Sequence, residues 1–230
     1  MSRKKVLLTG PSGRIGPHIV GPFRDRYDLV TFDLPGHGAD CEGDLGDVES
    51  LKRAMKGVEA VVHLAATSDE APFLEQLVPN NVEGLYNLME AAHSEGVRRV
   101  VFASSVQTIW RHIDETSGPI ETEIQAPHTL YGVSKIFGEV LGRWYYDFRK
   151  IEFIAVRLGW FEETHKLQAK SWINNVWISP RDAAQLFQKA VDTPDVGYAI
   201  VNCTSKTPRE ILSLQSAREL LGYEPEDVAP

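Results

Sequence analysis

In Tyr131-Gly132-Val133-Ser134-Lys135, a phenol and an ammonium are four residues apart, which puts both on one face of a helix. A tyrosine titrates near ~10 and is a poor base at neutral pH. A nearby ammonium stabilises the phenolate, which is the direction a general base requires. Two hydroxyls, Ser104 and Ser105, close an apolar run that begins at Arg98. They stand at the carboxyl end of a predicted strand, where open α/β sheets hold their ligands. A Tyr-x-x-x-Lys pair alone is commonly just helix surface. With a serine in front of it, the pair can draw a proton from a substrate hydroxyl.

A second device lies at the start of the chain. Thr9-Gly10-Pro11-Ser12-Gly13-Arg14-Ile15-Gly16 follows a β-rich run and opens a helix. A dinucleotide pyrophosphate needs close backbone approach, exposed amide hydrogens and a helix N-terminus aimed at it. Gly10, Gly13 and Gly16 supply the turn, the approach and the tight helix packing. Asp33 ends the next predicted strand, where a carboxylate accepts both ribose hydroxyls of NAD and repels a 2′-phosphate. Its plainer role is a turn or cap aspartate. Arg14 could attract a phosphate, so NADP is disfavoured without being excluded.

The elements that must position these groups alternate in type. Strands are expected at Lys5–Thr9, Asp28–Asp33, Glu59–Leu64, Arg98–Ser104 and Glu152–Leu158. Helices are expected at Arg14–Phe23, from the Asp47 cap through Lys56, at Asn81–Glu95 and from Leu130 to Phe148. A polar loop, Pro35 to Gly43, separates the second strand from the Asp47 helix. Strands that are unbroken apolar runs, alternating with helices, predict a doubly wound parallel α/β sheet covered on both faces. After Gly159 the rhythm is lost until Ser179-Pro180 opens a helix to Val191. A strand at Gly197–Cys203 and a helix at Ser213–Leu221 follow. Residues 1–158 thus read as a Rossmann-type domain, and 159–230 as a small substrate-binding appendage interleaved with it in one unit.

Composition narrows the partners. Of 230 residues, 24 are Lys or Arg and 32 are Asp or Glu, for a net charge of −8. No nucleic acid or anionic membrane partner is expected of such a chain. No apolar stretch is long enough to span a bilayer, and Val6-Leu7-Leu8 is too short for a signal sequence. Two cysteines, Cys41 and Cys203, make no disulfide framework and suit a reducing cytoplasm. None of the seven histidines has zinc-site spacing, so no metal is expected.

These motifs, Gly10-x-x-Gly13-x-x-Gly16, Asp44-Leu45, His63-Leu64-Ala65-Ala66, Asn81-Val82-x-Gly84, Ser104-Ser105 and Tyr131-x-x-x-Lys135, resemble the extended short-chain dehydrogenase/reductases, the NAD-dependent epimerase/dehydratase group. The similarity runs nearly end to end. It implies that Tyr131 is the acid/base, that Lys135 holds the nicotinamide ribose and lowers the phenol pKa, and that Ser105 orients the reacting hydroxyl. It implies NAD contacts from Gly10, Ser12, Gly13, Arg14, Ile15, Gly16, Asp33, Asp44, Leu45, Leu64, Ala65, Ala66 and Asn81, with Tyr131 and Lys135. Ser68, Ser105, Val106, Gln107 and Tyr131 would meet the substrate. A homodimer is a further family expectation.

Within the group, Gly84–Ala92, Thr129–Lys135 and Leu221-Gly222-Tyr223-Glu224-Pro225 look like uronate dehydrogenases and related NAD-dependent sugar dehydrogenases. Those enzymes oxidise the anomeric carbon of an aldose or uronate to a lactone. Two departures stand out. The subgroup usually follows its catalytic serine with Asn-His, whereas Val106-Gln107 stands here, and no arginine lies between Gly159 and Pro180, where the uronate enzymes pair the sugar carboxylate. Lys166, Lys170 and Arg111 are the cations that could compensate. A neutral aldose or another small alcohol is therefore the expected substrate in preference to a free uronate. Trp160, Trp172 and Trp177 read as packing or as a sugar platform, and His112 and His128 as substrate contacts or loop residues. The alternatives are an epimerase or dehydratase of the same group, or a non-catalytic dinucleotide-binding module.

Overall fold

Continuous apolar runs become strands whose successive side chains enter opposite faces of one sheet. The structure, a computed structural model, describes residues 3–113, 118–169 and 171–230. Its strands are β1 (Lys5–Thr9), β2 (Asp28–Asp33), β3 (Cys41–Glu42), β4 (Ala60–His63), β5 (Arg99–Ser105), β6 (Glu152–Leu158), β7 (Trp160–Phe161), β8 (Trp177–Ile178) and β9 (Tyr198–Cys203). Seven of them form a parallel sheet in the order β3-β2-β1-β4-β5-β6-β9, while β7 and β8 pair separately. This is a doubly wound Rossmann-type sheet, and residues after 158 supply its last strand.

The alternation is visible in the two cores. Val6, Leu8, Val62, Val101, Val156 and Val201 point to one face, under α1 (Gly16–Arg26), α6 (Pro180–Asp192) and α7 (Gln215–Leu221). Leu7, Val61, Val100, Phe102 and Phe153 point to the other, under α2 (Val48–Ala54), α3 (Gly84–Ser94) and α5 (Leu130–Arg149), while the short α4 (Trp110–Ile113) follows β5. A strand buried on both sides has no polar position to spare, which is why no period of two shows in the sequence.

Several boundaries differ from the sequence expectation. The first helix starts at Gly16, which leaves Arg14 and Ile15 in the glycine loop. The Pro35–Gly43 stretch is not all loop: Cys41–Glu42 forms an edge strand beside Phe32 and Asp33, too short to carry a pattern. The helix expected to begin at Asn81 is preceded by a π-helix, Phe73–Glu83, that runs into α3. Pro79 lies inside it, and the Gly84 amide donates to the Pro79 carbonyl across the wider turn. Asp47 and Ser179 cap their helices as their types predict, accepting from Ser50 and Asp182 amides respectively. The aperiodic segment after Gly159 folds as β7, short 3₁₀ turns and β8. Lys170 lies outside the described residues.

Candidate active site

The glycine loop owes its shape to two different constraints. Gly10 has φ +73°, and a Cβ there would lie 2.7 Å from the Ala65 amide nitrogen, where the ends of β1 and β4 converge. A Cβ on Gly16 would strike the Pro11 carbonyl, so only glycine lets α1 start this close to the loop. A Cβ on Gly13 would meet nothing nearer than 3.4 Å, and Gly13 lines the cleft. Helix α1 has neither a side-chain cap nor an acidic residue in its first turn. In its first turn Pro17 has no amide hydrogen and the His18 amide donates to the Ile15 carbonyl, so an anion such as a pyrophosphate would be met by the Gly16 and loop amides at the positive end of the helix.

Asp33 closes the outer end of this cleft. Its Oδ2 accepts from the Ser12 amide at 3.0 Å and the Ser12 hydroxyl at 2.6 Å, and its Oδ1 accepts from the Leu34 amide at 2.8 Å. Partial burial works to raise its pKa, but the Ser12 and Leu34 hydrogen bonds prevail and hold the carboxyl below its ordinary value. Asp44, Leu45, Leu64, Ala65 and Ala66 line the same end. Glycine backbone, anion-receptive helix start and terminal carboxylate together fit a dinucleotide with an unphosphorylated ribose. Asn81 is placed differently. Its side chain is buried, donates to the Thr67 carbonyl and the Ser134 hydroxyl, and accepts from the Thr67 amide, tying the loop after β4 to α5. It does not line the cleft; its neighbour Asn80 does.

At the inner end the cleft is lined by Ser105, Tyr131, Lys135 and Ser68, with Val106 and Gln107. Helix α5 is fixed at its start in two ways. The Thr129 hydroxyl accepts from the Gly132 amide at 2.9 Å, and the Glu70 carboxylate accepts from the Tyr131 amide at 3.0 Å, with its charge at the positive end of the helix. Along its length, Gly138 packs on Phe102 and Gly142 on Phe153, contacts that any Cβ would block. The result is that Lys135 is buried with its Nζ 4.9 Å from the Phe102 ring centroid and 5.5 Å from that of Tyr131. Burial lowers the ammonium pKa to about 7 and raises that of the Tyr131 phenol to about 12, while the Ser105 hydroxyl works against that rise. Among the protein's own groups, then, desolvation outweighs the expected stabilisation of the phenolate by Lys135.

Several contributors were not legible in the chain. Glu139, one turn beyond Lys135, accepts a hydrogen bond from Ser104 at 2.6 Å and is forked by Arg157 of β6. Asp69, Trp110 and Phe161 also line the inner wall, beside Trp160, which the sequence offers as packing or a sugar platform. Trp110 stacks on His128 with centroids 5.6 Å apart and meets Trp172 at 5.3 Å. Trp177 is packing: it is fully buried, with its indole donating to the Glu162 carbonyl. Arg14 turns to the inner wall, where it pairs with Glu162 at 3.2 Å and lies over Trp160. Lys166 is tied to Glu163 at 2.8 Å, and Arg111 is exposed and does not line the cleft. Among the described residues no cluster suited to a metal ion occurs, and no helix is long and apolar enough to cross a membrane.

Comparison with known proteins agrees with this geometry. The chain is 34% identical to an NAD-dependent glucose-6-phosphate dehydrogenase of Haloferax volcanii, over 96% of this chain and 93% of that one. It is 30% identical to an L-arabinose 1-dehydrogenase (NAD(P)(+)) of the same organism, over 97% and 96% respectively. The crystal structure of uronate dehydrogenase from Agrobacterium tumefaciens superposes with a TM-score of 0.86 at 30% identity, covering 100% of this chain and 86% of that one. Residues 6–165 match the NAD dependent epimerase/dehydratase family. On the strength of that match and these relatives, the chain belongs to the NAD dependent epimerase/dehydratase family.

Proposed function

We propose that the protein is an NAD-dependent dehydrogenase that oxidises a hydroxyl-bearing carbon of a small sugar or sugar acid, with C1 of an aldose oxidised to the lactone. The observation that carries this reading is two adjoining hollows that share Gly10, Gly13, Leu64 and Ala66, one reaching Asp33 and the other Ser105, Tyr131 and Lys135. Bound NAD supplies the hydride acceptor and a positive charge that favours the phenolate. Gly10, Gly13 and the start of α1 hold the pyrophosphate, Asp33 the adenosine ribose, and Asp44 and Leu45 the adenine side. Ser105 donates to the substrate oxygen and orients it toward Tyr131. The Tyr131 oxygen takes the hydroxyl proton as the carbinol carbon loses hydride. Lys135, shielded from water between Phe102 and Tyr131, holds the nicotinamide ribose and offsets negative charge on the phenol. Trp110 and Trp160 offer flat apolar surface to the C–H face of a sugar ring.

Relatives that act on a sugar phosphate, a pentose and uronates support the substrate class. The decisive experiment incubates the protein with NAD and a panel of aldoses and uronates. NADH formed one-for-one with lactone is the expected result. Sugar isomerised or dehydrated without net NADH would instead make the protein an epimerase or dehydratase, and NAD binding without turnover a non-catalytic module.

The protein is also proposed to act as a homodimer in the cytoplasm. Val133, Phe137, Val140, Trp144 and Phe148 make an exposed stripe along one side of α5, suited to an isologous contact with the same helix of a second copy. Both cysteines are unpaired, as a reducing compartment keeps them.

A further inference from the structure

The loop after β4 puts an acid where the sugar would lie. Asp69 lines the inner cleft together with Ser105, Gln107 and Tyr131. Its backbone has φ +68°, a left-handed conformation that few residues other than glycine adopt and that aspartate tolerates better than most. Its Oδ1 accepts from Gln107 Nε2 at 2.9 Å and from the Glu70 amide at 3.0 Å. Gln107 is held in turn by the Thr129 hydroxyl at 2.7 Å, the same hydroxyl that caps the helix of Tyr131. All these contacts fall on one carboxylate oxygen. Among the described residues, Oδ2 takes no hydrogen bond.

The charges around it decide what that oxygen is for. The cations among the described residues of the inner cleft are Arg14 and Lys135. Arg14 is committed to Glu162 at 3.2 Å and to the Trp160 ring, and Lys135 is enclosed by the Phe102 and Tyr131 rings. Glu70 adds a second carboxylate at the Tyr131 amide. A substrate carboxylate or phosphate entering here meets an acid without a cation to receive it, whereas a sugar hydroxyl meets a fixed acceptor.

We propose that Asp69 is the specificity-determining residue of this site: its free carboxylate oxygen accepts hydroxyl donors of an uncharged sugar and turns away sugars bearing a carboxylate or phosphate. The assignment rests on the sugar-dehydrogenase reading above. The negative field of Asp69 also reaches the reacting phenol, whose pKa it pushes further up. Asp69 thus works against proton abstraction, so its benefit lies in binding. Gln107 and Thr129 make the acceptor rigid, and rigid acceptors discriminate because they lose little freedom when the ligand binds. Repulsion between like charges about 5 Å apart near a protein surface changes affinity by roughly 10- to 100-fold.

The test measures kcat/KM with NAD for D-glucose, D-galactose, D-glucuronate, D-galacturonate and glucose 6-phosphate, in wild type, Asp69→Asn and Asp69→Gly. Asparagine keeps the Gln107 contact and removes the charge; glycine suits the left-handed backbone and removes the acceptor. Wild type is expected to prefer each neutral sugar over its uronate by about tenfold or more. Both variants are expected to shift that ratio toward the anion by about tenfold, with glycine costing the neutral sugar more. A wild-type preference for uronate or phosphate, or a ratio unmoved in both variants, overturns the role of Asp69 alone. Absence of NADH from every sugar in wild type overturns the reading of the site beneath it.

Discussion

Arg157 grips Glu139 through two hydrogen bonds, Nε to Oε1 at 2.8 Å and Nη2 to Oε2 at 2.7 Å, with both side chains wholly buried. The pair bolts α5 to β6 one turn beyond Lys135, and Ser104 joins it from the end of β5. Removing one member leaves the other as an uncompensated buried charge. Arg157→Leu is therefore expected to cost about 3–5 kcal/mol in urea denaturation. The double variant Arg157→Leu/Glu139→Leu is expected to recover a good part of that loss, because no lone charge remains. A double variant less stable than either single one would contradict this account.

Tyr131→Phe keeps the ring against Lys135 and removes only the oxygen. Turnover is expected to fall by about 10²–10⁴-fold. NAD affinity, measured by calorimetry, is expected to stay within a few-fold, because Asp33 and the glycine loop lie at the other end of the cleft. Near-normal turnover would remove Tyr131 from the chemistry.

The parts of this site that were visible in the chain are those whose chemistry is local. Gly10, Gly13 and Gly16 recur at a spacing of three, and Tyr131 and Lys135 share a helix turn, so spacing alone exposes them, although the close approach that fixes Gly10 comes from Ala65 at the end of β4. Asp33 is identified by closing a strand. Asp69 carries no such mark: it is one acid among 32 Asp and Glu until Asn81 draws the loop after β4 against α5. Glu139 and Arg157 are charged residues in segments that otherwise read as helix and strand, and only the sheet brings them together. The π-helix was hidden for a different reason, since its wider turn breaks the period by which helices are found. Lys135 shows the limit of local reasoning about pKa, because burial, absent from the sequence, overrides its neighbour.

Asp33 sets the cofactor. Its carboxylate faces the outer cleft beside Ser12 and Asp44, where a 2′-phosphate would meet negative charge. Wild type is expected to bind NAD more tightly than NADP, by at least tenfold in direct titration. Asp33→Ser is expected to narrow that gap, weakening NAD while relieving NADP. Tighter NADP binding by the unaltered protein would assign Asp33 to loop structure alone.

The exposed side of α5 is expected to bind a second copy. Phe148 is 68% and Val140 58% exposed, values that leave large apolar area in water unless a partner covers it. Val140→Lys with Phe148→Glu is expected to shift the mass measured by light scattering from dimer to monomer. An unaltered protein that is monomeric at all accessible concentrations would leave this stripe without the proposed role.

His63 gives stability a pH dependence of definite sign. It is buried at the end of β4, with Nδ1 2.8 Å from the Thr9 hydroxyl. Burial first, and the Lys135 charge second, lower its pKa from 6.5 to about 3. Between those values the unfolded chain binds a proton that the folded protein refuses. Stability therefore rises with pH through this window and levels off above about 6.5. From pH 5 to 6.5 the contribution is about 1.6 kcal/mol, because the slope falls from about 1.4 kcal/mol per pH unit to half that as the unfolded histidine loses its proton. His63→Gln removes the titration, so the stability difference between wild type and variant is expected to grow in favour of wild type across this range. Carboxylates common to both proteins cancel in that difference. Denaturation curves at half-unit pH steps measure it, and a difference that stays constant with pH would show that His63 takes up its proton as readily in the folded protein as in the unfolded chain.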